Sequence, residues 1–149
     1  MLDAKLEAAR WYLGEISGED MPGIACHALE LGYDGKNLRY LAGLASPARR
    51  DIADAVDGAL RELGAQAPIT KQDAALWMAR RLAGEILEGR IEPYDGACRI
   101  WLSYSLSAPE LDHWRNLATD YEAAAQTGGL ESAKQQIVQA AHNLFSTAK

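Results

Sequence analysis

Apolar residues recur every three or four positions along most of this chain, the spacing of helices that bury one face. Leu2, Leu6, Ala9, Leu13 and Ile16 form a first stripe, and Ile24, Ala28 and Leu31 a second near residues 21–31. Leu38, Leu41 and Leu44 predict a short third helix over about 36–45. A fourth follows Pro47 with Ile52, Val56, Ala59, Leu60 and Leu63. Ala75, Met78, Leu82 and Ile86 predict a fifth over about 71–88, and Ala97, Ile100, Trp101 and Tyr104 a sixth after Pro93. Leu111, Trp114, Ala118, Tyr121 and Ala125 predict a seventh after Pro109. Leu130, Ala133, Ile137, Ala141 and Leu144 complete an eighth.

The boundaries carry their own signals. Pro22, Pro47, Pro93 and Pro109 sit where helices begin, because the first helical position needs no N–H donor. Ser46 is placed as an N-cap before Pro47, and Thr70 with Asp73 resembles a capping box. Gly32, Gly64 and Gly89 fall just past apolar stripes, where a left-handed C-cap is wanted. Residues 65–69 are the most linker-like stretch, short enough to stay inside one domain.

Composition agrees with helices. Ala and Leu dominate, whereas Val occurs only at 56 and 138 and Phe only at 145, too few for a sheet core. The fold expected for the 149 residues is all-α: a single compact domain over 1–149, of seven or eight short helices in a bundle or short solenoid. No apolar run approaches the roughly 18 residues of a membrane span. The opening residues lack a signal pattern, and two cysteines make no disulfide framework, so the expected compartment is the cytoplasm.

An internal duplication is weighed in two registers. One sets Tyr33-Asp34-Gly35 on Tyr94-Asp95-Gly96. The other sets Gly14-Glu15-Ile16 on Gly84-Glu85-Ile86 and Ala25-Cys26 on Ala97-Cys98. The run from Leu82 to Trp101, with its Ile-x-x-Gly helix end, Pro93-Tyr94-Asp95-Gly96-Ala97 and the Ile100-Trp101 pair, resembles a segment of small uncharacterised bacterial all-helical proteins. The residues from Leu38 to Leu44 share the likeness more weakly. The resemblance implies a cytoplasmic helical domain and brings no activity with it. Within the run, Tyr94 and Trp101 are expected to anchor a helix corner in the core.

Charge is uneven. Residues 1–35 hold seven acids against Lys5 and Arg10, a net of -5, while residues 36–50 hold Lys36, Arg39, Arg49 and Arg50 and no acid. A +4 patch in a chain of net charge -6 is a weak phosphate-binding stripe, and solvated surface is the expected use. Thr70-Lys71-Gln72-Asp73 is similar to the opening of DNA-binding helical domains, but no basic recognition helix follows. Nucleic-acid binding is therefore a minor alternative.

Among motifs with chemistry, Glu110-Leu111-Asp112-His113 is the sharpest, a Glu-x-x-His expected on one helix face, as in carboxylate metal bundles. Glu15 and Glu85 could add carboxylates, yet neither His27 nor His142 has a Glu three residues before it. A metal-binding protein or enzyme centred on Glu110 and His113 stays an alternative, and no metal, cofactor or catalytic set is predicted. Cys26 and His27 are adjacent and diverge on a helix, so Cys26 and Cys98 are expected in the core. Trp and Tyr outnumber Phe, and their polar edges suit half-buried contacts. Trp11 and Trp77, flanked by Asp51, Asp54 and Asp57, are the candidate partner surface. The principal expectation is a non-catalytic module that binds another protein or itself, in an inhibitor or immunity-type role.

Overall fold

Every apolar stripe becomes a helix. In a computed structural model, which describes residues 2–146, the chain is all-α: eight α-helices and two 3₁₀ turns, with no strand among the described residues. The helices are α1 (Ala4–Tyr12), α2 (Met21–Glu30), α3 (Lys36–Ala42), α4 (Arg49–Glu62), α5 (Lys71–Leu87), α6 (Pro93–Tyr104), α7 (His113–Thr127) and α8 (Leu130–Ser146). The 3₁₀ turns are Gly18–Asp20 and Pro109–Leu111. No helix of the described residues is long and apolar enough to cross a membrane.

Two compact units can be distinguished in the chain, Met1–Ala74 and Ala75–Lys149. The division falls inside the first turns of α5, not in the linker-like 65–69 stretch, which belongs to the first unit.

In the first unit, α3 packs on α2 and α4, and α1 packs on α4. Trp11, Ile16, Leu38, Leu41, Ile52, Val56 and Leu60 are its large core side chains. Ile16 is only 2% exposed although α1 stops at Tyr12, because Gly14 turns the chain at φ +80° and returns Ile16 to the core from the following loop. The expected start of α4 is corrected. Ser46 is not the N-cap: it takes φ +46°, and Ala48 caps the helix with no side-chain bond. Packing decides this, since a Cβ on Gly18 would lie 2.5 Å from the Pro47 carbonyl. The backbone at 47–48 is pressed against the first 3₁₀ turn and stays extended.

The start of α3 is held from another helix. Gly35 at its N-cap has no side chain to offer, and Glu62 at the end of α4 substitutes. Its carboxylate accepts from Asn37 N (3.1 Å), Asn37 Nδ2 (2.8 Å) and Leu38 N (3.0 Å). Burial pushes the Glu62 carboxyl up, but these bonds outweigh it and hold the group below its ordinary range.

In the second unit, α6, α7 and α8 pack on one another. Trp114, Ile100, Leu111 and Ile137 are fully buried. Gly96 admits Ile86 of α5 to the α6 backbone, where a Cβ would lie 2.5 Å from Ile86 Cδ1. Pro93 opens α6 as expected, after Gly89 at φ +77°. At the end of the first unit, Thr70 Oγ1 accepts from Asp73 N at 3.0 Å, the forward half of the expected capping box. Tyr94 and Trp101 are half-buried instead of core. Tyr94 stacks on Tyr121 (4.9 Å between centroids) and donates to Glu122 at 2.8 Å.

Neither repeat register holds throughout. In the first, Gly35 is the N-cap of α3 and faces the following helix, whereas Gly96 lies within α6 and faces the preceding one. In the second, residues 14–16 lie in the loop after α1 while residues 84–86 lie within α5. Ala25 and Ala97 do occupy equivalent places in α2 and α6, both 0% exposed, and the first residues, Met21 and Pro93, are both buried.

Candidate functional site

The second unit contains an open groove of about 640 Å³ built from α5, the Pro109–Leu111 turn, α7 and α8. That volume is in the range of sites that take small molecules or peptide side chains. Leu76, Leu111, Leu117, Ala140 and Leu144 supply its apolar lining; Leu111 is fully buried and the others half-buried. Arg80, Glu110, His113, Gln136, Gln139 and Asn143 supply the polar lining, all exposed except the half-buried Arg80.

Local sequence explains the placement. Pro109 does not open α7, as its position suggested. It opens a 3₁₀ turn, and the helix starts at His113 behind Asp112. Glu110 and His113 therefore lie on two elements, not on one helix face. Both still reach the groove, and His113 Nδ1 is 3.0 Å from the Glu110 carbonyl oxygen. An Nδ1–H donated to that carbonyl leaves Nε2 as an acceptor. Among the described residues no group of three or more His, Cys, Asp or Glu could hold a metal ion.

On α8, Gln136, Gln139 and Asn143 fall at i, i+3 and i+7, one helix face. Gln139 Nε2 donates to Asn143 Oδ1 at 3.2 Å. Arg80, projecting from α5, has its Nε buried with no hydrogen-bond partner. Trp114, whose ring lies 5.8 Å from that of His113, likewise has its indole N–H buried without one.

The other predicted residues lie elsewhere. Trp11 is 3% exposed, so its ring fills the first core and cannot present itself to a partner. The Arg49 guanidinium stacks over it at 3.7 Å and donates to Ile16 O (3.0 Å) and Trp11 O. Trp77 is half-buried on α5, with the Arg81 guanidinium 5.8 Å from its ring. Asp51 and Asp54 are exposed on α4, while Asp57 is half-buried and accepts from the Tyr12 hydroxyl. Burial and that bond push the Tyr12 phenol well above its ordinary range. Trp11, expected at one surface with Trp77 and these acids, is instead withdrawn from any surface.

Of the basic stretch, Arg39 bonds Asp34 and Arg49 lies over Trp11, while Lys36 and Arg50 are exposed. Cys26 is exposed and Cys98 half-buried, against the expectation of core cysteines.

Arg80, Leu117 and the three carboxamides of α8 were missed by the sequence reading. The spacing of the carboxamides was the available signal, since an uncharged polar face at i, i+3, i+7 differs from the usual charged one.

No family model, curated protein or solved structure matches this chain.

Proposed function

We propose that this protein is a non-catalytic binding module of the cytoplasm that recognises a segment of another protein in the α5–α7–α8 groove. The observation that carries the reading is the lining itself. A half-buried apolar strip bordered by carboxamides on one helix face provides a pocket for an anchor side chain and hydrogen bonds for its backbone. An inhibitor or immunity-type role fits such a module, because it needs affinity and no chemistry.

The test is affinity capture from the cytosol of the native cell with three proteins: wild type, Leu117→Arg and Leu106→Arg. Leu117 lines the groove, while Leu106 is 95% exposed and lies outside its lining. A defined partner should be retained by wild type and Leu106→Arg and lost from Leu117→Arg, with helicity unchanged. Equal capture by all three would contradict the reading.

A second reading is favoured by one observation, the His113 Nδ1 placed 3.0 Å from the Glu110 backbone carbonyl, a contact that in the Nδ1–H tautomer leaves Nε2 free to ligate a metal ion. Zinc titration followed by calorimetry separates the two. Stoichiometric binding abolished by His113→Ala supports the metal reading, and its absence leaves the groove to a protein ligand.

A further inference from the structure

Three features of the groove bear on what occupies it. Arg80 lines it with Nε buried and unpartnered, and no carboxylate among the described residues pairs with this guanidinium. A half-buried guanidinium with no carboxylate beside it among the described residues can take a ligand carboxylate through two parallel bonds from its Nη groups. Gln136, Gln139 and Asn143 each offer donor and acceptor without charge, matching the alternating N–H and C=O of a peptide backbone better than an alkyl chain. Leu76 and Leu117, both half-buried, supply an apolar contact for one aliphatic side chain, with Leu111 beneath them in the core.

We propose that the groove receives the C-terminal residue of a partner protein. Its aliphatic side chain lies against the leucines, its terminal carboxylate bonds Arg80, and its last peptide groups bond the carboxamides of α8. This rests on the protein-binding reading above and specifies its ligand.

Calorimetric titration with N-acetyl-alanyl-alanyl-leucine and its C-terminal amide tests this. Wild type should bind the acid about tenfold more tightly than the amide, the scale of one charge-assisted pair. In Arg80→Gln the two should bind equally, and Arg80→Lys should retain part of the preference. Thermal melts of each variant establish that it is folded.

Equal binding of acid and amide to wild type would overturn the carboxylate assignment while leaving the groove as a protein site. An acid preference that survives in Arg80→Gln would also overturn it. If neither peptide binds or moves the amide resonances of Gln139 and Asn143, the proposal is overturned, whereas partner capture lost in Leu117→Arg would still support the groove.

Discussion

A single carboxylate, Glu62, does work for α3 that α3 cannot do for itself. A cap usually comes from the residue just before a helix, but Gly35 has no side chain, and its absence makes room for Glu62: a Cβ there would fall on the carboxylate. Glu62→Gln keeps the shape and removes the charge. We expect it to cost about 1–2 kcal/mol near neutrality, the low side of charged hydrogen bonds because the carboxylate is partly solvated. The pH dependence has a definite sign. With the folded pKa below the unfolded value of about 4.3, the contribution is complete above that value and is lost as pH falls through the folded pKa. Urea melts across the acid range should show wild type converging on Glu62→Gln on acidification. A constant gap would refute the cap. Arg49 is a parallel case, a cation that looks like surface charge in sequence and holds a loop to Trp11 in the fold.

At the scale of elements, two glycines in helix interiors give opposite expectations. Gly96 meets Ile86 Cδ1 at 2.5 Å, and Ile86 is only 5% exposed, so a Cβ has nowhere to push it. Gly96→Ala should lose about 1–3 kcal/mol through overpacking. Gly84 meets Phe145 Cε1 at 2.9 Å, but Phe145 is 51% exposed and can rotate away. Gly84→Ala should be neutral or gain up to about 1 kcal/mol from helix propensity. Chemical denaturation of both variants checks the pair, and equal effects would contradict this account. The same logic explains what the sequence made legible. Apolar stripes reveal helices because burial repeats with the helical period, and all eight were readable. The starts of α4 and α7 were not, because Pro47 and Pro109 obey contacts made elsewhere: Pro47 lies against Gly18, and Pro109 opens the turn that buries Leu111. The Glu110–His113 pair was legible as residues, but its surroundings were not. Arg80 and the α8 carboxamides come from segments far apart in the chain, and no local pattern joins them.

For the molecule as a whole, the chain is two units of α-helices with different uses for their polar residues. In the first, two cations of the basic stretch after residue 35 have partners, Arg39 on Asp34 and Arg49 on Trp11, while Lys36 and Arg50 stand exposed. In the second, polar side chains from α5, α7 and α8 surround an apolar groove with a guanidinium that lacks its anion. On the reading proposed above, those residues serve binding. The most direct measurement is photo-crosslinking in the native cell, with Gln139 replaced by p-benzoylphenylalanine and Asp54, exposed on α4, replaced as the comparison. The account predicts a discrete adduct from position 139 only, with the crosslinked fragment ending at the partner's C-terminus. Adducts formed equally from both positions, or none from position 139, would contradict it.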